Sequence, residues 1–188
     1  MIKLSGDPIT RHNFTRGPSK LPLVVVLNNL RSLYNVGSIF RTSDAVGVEK
    51  IWLCGITGHP PSLKISKTAL GAEETVPWEH EWNVVKVLRQ LKERGYQIVL
   101  MEQVRESVPC DEFKWRLPVC LVLGNENSGI SDGLLALADA AVEIEMVGIK
   151  HSLNVTVAFG IAAYRFRSCL KEKRAGVVVL PDTAFRGT

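Results

Sequence analysis

The hydrophobic positions of this chain alternate between short, continuously apolar runs and longer segments with apolar residues at helical spacing. The run LPLVVVL, residues 21–27, is too β-branched and too continuously apolar for a surface helix, so it predicts a buried parallel strand. Strands and helices alternate along the rest of the chain, which is typical of an α/β fold with a mostly parallel sheet flanked by helices. The predicted strands are 21–27, 50–54, 96–102, 118–123 and 142–146, and the predicted helices are 36–46, 81–94, 131–139 and 153–170.

The segment 55–67, GITGHPPSLKISK, is predicted to be an irregular loop. Its adjacent Pro60 and Pro61 forbid helix where they stand. Lys64 and Lys67 in this loop are candidates for phosphate contacts, although surface lysines usually contact only water.

The first predicted helix follows a polar segment in which Asn28, Asn29 and Arg31 crowd the carboxyl end of the first strand, where open α/β sheets bind their ligands. One sector of this helix is apolar: Val36, Ile39, Phe40 and Val46. The opposite side holds Gly37, Arg41 and Asp44, which are expected to face outward.

Asn35 and Gly37 open this helix with groups suited to capping and to close backbone approach. An anion at this N-terminus would meet free N–H groups and the Arg41 guanidinium together. Arg41 is therefore a candidate site residue rather than a solvated surface charge.

A second polar segment, GNENSG at residues 124–129, follows the strand 118–123 directly, and Ser131 can cap the next helix. It resembles a phosphate cradle only superficially, because no GK[ST] follows and the GxGxxG spacing is absent. Its acidic residue, Glu126, favours binding of an amide, a hydroxyl or a cation.

A third segment ends the strand 142–146 and leads into the helix 153–170, which is apolar nearly all round from Leu153 to Phe166. Such a helix must be covered on every side, so part of it is expected in a subunit interface. Ser152 and Asn154 are the first polar groups, and their spacing alone favours helix caps over site residues.

The chain has 188 residues, 46% of them apolar, which is enough for one core and a single domain. No apolar run approaches the ~20 residues that a bilayer requires, and no signal peptide opens the sequence, so a soluble cytoplasmic protein is expected. The four cysteines form no CxxC pair and are expected to be reduced and mostly buried. The four histidines are equally dispersed, so no metal is expected.

The net charge is +4, and the basic residues concentrate near the two ends of the chain. They are Lys3, Arg11, Arg16 and Lys20 at one end, and Arg165, Arg167, Lys171, Lys173, Arg174 and Arg186 at the other. Basic ends suit a polyanionic partner such as RNA, because phosphate contacts supply most sequence-independent affinity. Charge alone leaves open that they only aid solubility.

Taken together, NVGSIFRTSDAVG, LVLGNENSGIS and VEIEMVGIKHSLNVTVA resemble, in order and spacing, motifs 1, 2 and 3 of the SpoU (TrmH) family of RNA ribose 2′-O-methyltransferases, in the SPOUT class. The resemblance covers residues 22–167. It implies a deep trefoil knot near the C-terminus, a homodimer through the C-terminal helix, and S-adenosylmethionine bound in the knot. It also implies a methyltransferase domain at 21–170, with a basic N-terminal extension at 1–20 and a C-terminal tail at 171–188.

The family motifs carry over onto matching positions of this chain. The implied catalytic residues are Asn35, Arg41, Glu126, Ser152 and Asn154, and the implied cofactor contacts are Gly124, Ile144 and Leu153 with Met146 nearby. The family proposal makes the motif 1 arginine the group that handles the hydroxyl proton. A guanidinium is a very reluctant proton acceptor, so Arg41 is expected to hold a phosphate and stabilise the developing alkoxide.

The resulting prediction is S-adenosylmethionine-dependent methylation of a ribose 2′-hydroxyl in tRNA or rRNA. A SPOUT enzyme acting on a base is the first alternative, although its motifs would differ. A non-catalytic RNA-binding protein would have little reason to keep Arg41, Glu126 and Asn154 together, and a nucleotide-dependent oxidoreductase lacks its glycine fingerprint. Larger relatives carry added RNA-binding segments, whereas about twenty residues flank each end of this core, so the choice of RNA stays open.

Overall fold

A computed structural model describes residues 20–175 of the chain. Its elements, in order, are β1 (Leu21–Asn28), α1 (Leu33–Val46), β2 (Val48–Cys54), α2 (Leu63–Ala69), a 3₁₀ turn (Ala72–Glu74), β3 (Trp78–Glu81), α3 (Val84–Glu93), β4 (Gln97–Met101), β5 (Val108–Pro109), β6 (Val119–Leu123), α4 (Asp132–Leu135), β7 (Ala140–Glu143) and α5 (Val155–Ala175). The predicted N-terminal extension, apart from Lys20, and the predicted tail beyond residue 175 lie outside the described residues.

The strands form one seven-stranded sheet in the order β3-β2-β1-β6-β4-β7-β5, and every neighbouring pair is parallel. The predicted parallel α/β fold is therefore confirmed. Because the strands are parallel, all of their carboxyl ends lie along one edge of the sheet. One register row crosses six strands near this edge: His80, Leu53, Leu27, Leu123, Met101 and Val142.

The helices cover both faces of the sheet, as a parallel sheet requires. Val25 and Leu27 of β1 point to the face covered by α1, α2 and α5, where Phe40 and Phe159 are fully buried. Val24 and Val26 point to the opposite face, which α3 and α4 cover. The continuous apolar run of β1 thus fills two separate cores.

The predicted helix 81–94 is shorter in the structure, and a strand precedes it. Helix α3 begins at Val84 with Asn83 as its N-cap, and β3 occupies Trp78–Glu81. The segment WEHE alternates aromatic and acidic residues with a period of two, which is typical of a strand. Trp82 therefore lies outside α3 and is 70% exposed.

Other boundaries also differ from the prediction. Strand β7 lies earlier than the predicted 142–146, and the two-residue β5 was too short to give a hydrophobic pattern. Helix α4 covers only part of the predicted 131–139, with Ser131 at its N-cap position.

The prediction of an irregular loop at 55–67 was wrong in its second half. Helix α2 begins at Leu63, two residues after Pro61, with Ser62 at its N-cap position. A proline excludes helix for the turn that precedes it but is tolerated at a helix start. The Pro60-Pro61 pair therefore marks where the loop ends.

Helix α1 begins at Leu33, earlier than predicted, because Ser32 is its N-cap and accepts a hydrogen bond from the Asn35 backbone N–H at 3.3 Å. Asn35 is therefore inside the helix and does not cap it. Gly37 was predicted to face outward, but it is buried against α2. Arg41 is exposed, as predicted.

Helix α5 begins at Val155 and continues to Ala175, so it starts and ends later than predicted. Its buried side packs on the sheet and α1 through Phe159, Ala163 and Phe166. Residues 20–175 do not cover the other side: Val157, Ile161 and Tyr164 are 49%, 41% and 51% exposed. We call these three residues the α5 stripe.

The cysteines are all free; Cys54, Cys110 and Cys120 are buried and Cys169 is partly buried, as predicted. Burial, with a smaller contribution from Glu81, raises the pKa of the Cys54 thiol to about 12.

Within residues 20–175, no three His, Cys, Asp or Glu side chains are grouped so that they could hold a metal ion. No helix in the same range is long and apolar enough to cross a membrane.

Gly37 is expected to be essential for the packing of α1 on α2. A Cβ atom there would lie 2.2 Å from Thr68 Oγ1 and 2.3 Å from the Ile65 carbonyl oxygen. Gly37→Ala should therefore lower the free energy of unfolding by about 1–3 kcal/mol, measured by urea denaturation. In the control Gly133→Ala, the new Cβ meets nothing within 4 Å, and a loss as large as that of Gly37→Ala would contradict the packing argument.

Candidate active site

A cavity of about 900 Å³ opens at the carboxyl edge of the sheet, over the ends of β1, β6, β4 and β7. Its walls are the turn into α1, the loop after β6, and the irregular segment between β7 and α5. The structure brings eight of the nine predicted site residues to this cavity: Asn35, Gly124, Glu126, Ile144, Met146, Ser152, Leu153 and Asn154.

The Asn35 side-chain amide joins three distant segments at the cavity wall. Its Nδ2 donates to Glu126 Oε1 at 3.1 Å, and its Oδ1 accepts a hydrogen bond from Asn154 Nδ2 at 3.4 Å. A carboxylate accepts only, so Glu126 determines which end of the Asn35 amide faces it and leaves the amide oxygen for Asn154. The three predicted motifs therefore meet in one hydrogen-bonded chain.

The Glu126 carboxylate also binds the backbone at the start of α1. It accepts hydrogen bonds from the N–H groups of Arg31 at 2.9 Å and Ser32 at 3.1 Å. Partial burial by itself would raise the pKa of Glu126, but these donors, with its own backbone N–H and the Asn35 amide, outweigh burial and hold the pKa below its ordinary value. The expected partner of Glu126, an amide, is thus found in the protein itself.

A second side chain ties the loop after β6 to the end of β1. Asn125 Nδ2 donates to the Asn29 carbonyl oxygen at 2.7 Å, while Asn125 Oδ1 accepts from the backbone N–H groups of Asn127 and Ser128. This network turns the loop back on itself close to Gly124. A Cβ on Gly124 would lie 2.7 Å from the Gly129 backbone, so a glycine is required for this turn.

Glu102, directly after β4, supports the same loop from the other side. Its Oε2 accepts a hydrogen bond from the Ile130 N–H at 3.0 Å. Gly129 has a φ of +64°, and a Cβ there would lie 2.6 Å from the same Glu102 oxygen. The loop is therefore held between Glu102 and the end of β1.

The turn after β1 is fixed from within the fold. Asn29 has a φ of +60°, and its Oδ1 accepts from the Ile56 N–H at 3.1 Å. The buried Thr57 hydroxyl donates to the Leu27 carbonyl oxygen and accepts from the Leu30 N–H, both at 3.0 Å. Asparagine tolerates this left-handed conformation better than most residues.

Capping was predicted for both Ser152 and Asn154, and in the structure Asn154 is the residue that caps α5. Asn154 Oδ1 accepts from the Thr156 backbone N–H at 2.9 Å, and its carbonyl oxygen accepts from the N–H groups of Val157 and Ala158. The structure thus gives Asn154 both a cap and a place in the cavity wall. Ser152 lines the cavity two residues earlier.

Arg41 is the one predicted site residue that does not line the cavity in this chain. It is exposed on α1, six residues after Asn35, which is about 9 Å along the helix axis.

Several residues that line or brace the cavity were not predicted from the sequence: Met101, Glu102, Glu143 and Thr57. Glu102 and Glu143 share one signal that was available, because each is an acidic residue at the end of a buried apolar strand. The role of Thr57 rests on contacts with residues about thirty positions away, and no local pattern indicates it.

The cavity combines three carboxylates with an apolar wall. Glu102, Glu126 and Glu143 line it, together with the apolar side chains Met101, Leu123, Ile144, Met146 and Leu153. Such a wall suits a ligand with an apolar or aromatic body and several hydrogen-bonding groups. The carboxylates favour a cationic centre over a phosphate.

Comparisons with known proteins agree with the three-motif resemblance. The sequence profile of the SpoU rRNA Methylase family matches residues 22–164. The tRNA (guanosine(18)-2'-O)-methyltransferase of Aquifex aeolicus is 36% identical over 151 residues, which are 80% of this chain and 71% of that protein. The 23S rRNA (guanosine-2'-O-)-methyltransferase RlmB of Neisseria meningitidis is 34% identical, over 76% of this chain and 57% of that protein.

The fold is also similar to that of a solved structure with a bound ligand. The AdoMet-bound rRNA methyltransferase of Sinorhizobium meliloti has a TM-score of 0.74 and 32% sequence identity to this chain. The similarity covers 79% of this chain and 56% of that one. This chain therefore spans little more than half of the length of the two rRNA methyltransferases.

The Glu126 hydrogen bonds predict a pH-dependent contribution to stability. Because the folded-state pKa lies below the ordinary 4.5, the carboxylate stabilises the fold above that pH, and this stabilisation is lost as the pH falls through the folded-state pKa. At pH 7, Glu126→Gln should lower the free energy of unfolding by about 1 kcal/mol, a small value because the group is largely exposed.

Urea denaturation of the wild type and of Glu126→Gln, between neutral and acidic pH, measures the difference in their free energies of unfolding. Glu112→Gln, which removes another exposed carboxylate outside the cavity, controls for the loss of a surface charge. A Glu126→Gln deficit that stays constant well below pH 4.5 would contradict the assignment.

Proposed function

Because the chain belongs to the SpoU rRNA methylase family, we propose that it transfers the methyl group of S-adenosylmethionine to the ribose 2′-hydroxyl of a nucleotide in tRNA or rRNA. The observation that carries this proposal is the position of the Asn35 amide between Glu126 and Asn154 at the cavity wall. The hydrogen bonds that hold the start of α1 and cap α5 thus also place these polar groups at the wall of a cavity of about 900 Å³.

The cavity fits S-adenosylmethionine chemically. Ile144, Met146 and Leu153 provide apolar contacts for the adenosine, and the backbone at Gly124 provides hydrogen-bonding groups at a point where no side chain interferes. The carboxylates Glu102 and Glu143 complement a ligand that carries a sulfonium charge. The bound cofactor supplies an electrophilic methyl group, and the residues of this chain must supply alignment.

The polar residues at the wall orient the acceptor nucleotide. A ribose hydroxyl is a poor nucleophile at neutral pH, so transfer depends on holding it in line with the donor and on stabilising the charge that develops. Ser152 and the Asn35–Asn154 pair present hydroxyl and amide groups to the cavity for this positioning. Glu126 acts through Asn35, which it holds in a single orientation.

Arg41 holds the substrate phosphate and stabilises the developing alkoxide. Its exposed position about 9 Å along α1 from Asn35 suits a contact with the polynucleotide backbone rather than with the cofactor. A guanidinium stays charged at all relevant pH values, so electrostatic stabilisation fits it better than proton abstraction.

The protein acts as a homodimer through α5. The α5 stripe leaves Val157, Ile161 and Tyr164 about half exposed on one side of the helix, and a second copy would cover this apolar surface. We also propose the trefoil knot that the family resemblance implies. The segment between β7 and α5 lines the same cavity as the loop after β6, and α5 packs on α1.

The methyltransferase domain corresponds to residues 21–170, and the basic segments at 1–20 and 171–188 assist RNA binding. The chain acts in the cytoplasm, where tRNA and rRNA are available. The proposal covers both tRNA and rRNA, since the relatives named above include enzymes for each.

The direct test incubates the purified protein with methyl-labelled S-adenosylmethionine and with unmodified tRNA or rRNA, followed by nuclease digestion and identification of the labelled nucleoside. We expect a 2′-O-methylnucleoside from one RNA class. Label on a base would contradict ribose methylation, and cofactor binding without transfer to either RNA would contradict the proposed substrates.

Arg41→Ala and Arg41→Lys should each lower the rate of methyl transfer by about 10²–10³-fold. The alanine variant loses the positive charge, and the lysine variant keeps the charge but loses the planar guanidinium that can bind a phosphate through two N–H groups. Binding of S-adenosylmethionine, measured by calorimetry, should remain nearly unchanged. Arg89→Ala removes another exposed helical arginine, on α3, and serves as the matched control. A loss of S-adenosylmethionine affinity as large as the loss in the rate of methyl transfer would contradict the role proposed for Arg41.

The α5 stripe predicts the effect of a charge on assembly. Ile161→Glu should convert a dimer into a monomer in light-scattering or sedimentation measurements, because it places a carboxylate in an apolar interface. Leu117→Glu is the matched control, since Leu117 and Ile161 are both 41% exposed. A monomeric wild-type protein, or an Ile161→Glu variant that stays dimeric, would refute the interface.

A further inference from the structure

Four aromatic and imidazole rings form a continuous series at the edge strand β3 and the loop before α2. The His59 ring stacks on Trp78 with centroids 5.9 Å apart and an angle of 23° between planes. The ring centroids of His59 and His80 are 5.0 Å apart, and the His80 ring meets the Trp82 ring edge-on with centroids 5.2 Å apart. We call His59, Trp78, His80 and Trp82 the ring ladder.

The rings and the acidic residues of this segment lie on opposite faces of the sheet. Along β3 (Trp78–Glu81), side chains alternate between the two faces, so Trp78 and His80 share one face. Trp82 follows the strand directly, and its ring contacts that of His80 on the same side. Glu79 and Glu81 point the other way.

Each of the two glutamates is paired with a lysine. Lys50 Nζ lies 2.5 Å from Glu79, and Lys86 Nζ lies 2.5 Å from Glu81. The carboxylates next to the ring ladder are thereby both directed away from it and neutralised, which reduces repulsion of a polyanion.

Core packing does not explain the outer end of the ring ladder. Trp82 is 70% exposed and His59 is exposed, although a tryptophan is among the most costly side chains to leave in water. The loop that contains His59 leads along the chain into α2, where Lys64 and Lys67 are exposed. This part of the chain therefore offers exposed aromatic faces and, within eight residues of His59, two lysines that can contact phosphate.

The ring ladder lies on the same edge of the sheet as the cavity. His80 occupies the register row of Leu53, Leu27 and Leu123. With neighbouring strands about 4.8 Å apart, His80 is about 10 Å from the end of β1, where the cavity begins. An RNA strand whose target nucleotide enters the cavity can therefore place a neighbouring nucleotide over these rings.

We infer that the ring ladder is an RNA-binding subsite on which an unpaired base next to the target nucleotide stacks on Trp82, with Lys64 and Lys67 near its phosphate. Stacking on an aromatic ring tolerates any base, because every base has a π-face. The inference rests on the proposed RNA methyltransferase function and names the part of the substrate that it requires: an unpaired segment flanking the methylated nucleotide.

The test uses fluorescence anisotropy of a short, labelled, single-stranded oligouridylate with the full-length chain. Trp82→Ala and Trp82→Leu should each weaken binding by about tenfold, whereas Trp82→Phe should retain most of it. The leucine variant keeps apolar area but has no π-face, so it separates base stacking from docking of an apolar protein surface. Urea denaturation midpoints of the three variants should match the wild type, because Trp82 is largely exposed.

The intrinsic fluorescence gives a second readout. Oligouridylate should quench tryptophan emission in the wild type and much less in Trp82→Phe. Equal oligouridylate affinity for the wild type and Trp82→Leu, or equal quenching for the wild type and Trp82→Phe, would overturn the subsite.

These binding measurements need neither S-adenosylmethionine nor turnover, so they are independent of methyl transfer. If no RNA is methylated but Trp82-dependent binding persists, the subsite stands and the proposed reaction fails. If methylation occurs and Trp82→Leu leaves the KM for RNA unchanged, the subsite fails and the reaction stands. We expect a raised KM with kcat largely retained.

Discussion

The parallel register between the two central strands, β1 and β6, is the constraint on which the rest of the structure depends. Leu27 pairs with Leu123, so the chain leaves both strands at the same height on the same edge of the sheet. Only with that alignment can Glu126, three residues beyond β6, accept hydrogen bonds from the backbone N–H groups at the start of α1. Asn125 uses the same alignment to reach the Asn29 carbonyl oxygen. The motif residues can therefore meet at the cavity only because the strand register brings the ends of β1 and β6 side by side.

The chain from Glu126 through Asn35 to Asn154 converts this alignment into a defined polar surface. A carboxylate near apolar groups is costly unless donors surround it. Here the donors are strong enough to hold the pKa of Glu126 below its ordinary value despite partial burial. The charge in turn orients the Asn35 amide, and α5 begins at the residue after Asn154. Capping of the last helix and organisation of the candidate site are thus the same set of hydrogen bonds.

The carboxyl edge of the sheet extends beyond this site toward β3, and α5 begins at the site and packs on α1. Toward β3 the edge ends in the ring ladder, where aromatic faces remain exposed and the nearby carboxylates are paired on the opposite face. Along α5, Val157, Ile161 and Tyr164 are about half exposed within the described residues. Arg41 lies on α1 outside the cavity of one chain, the position from which we propose that it contacts an RNA substrate. These features suit an enzyme that binds a small cofactor in the cavity and an RNA over a wide area of the surrounding surface.

Sequence patterns alone predicted the parallel α/β class, most strands and helices, the family, and eight of the nine site residues that line the cavity, because hydrophobic periodicity and the order of motifs can be read along the chain. It did not determine α2, β3 or the burial of Gly37, since a turn after two prolines, a four-residue strand and a helix contact depend on neighbours distant in the chain. Nor could spacing show that Asn35 bridges Glu126 and Asn154, or that His59 meets Trp78. Those contacts arise from the three-dimensional fold, because a hydrogen bond or a ring stack requires two groups to be brought within a few ångströms, and strand order and register set that distance.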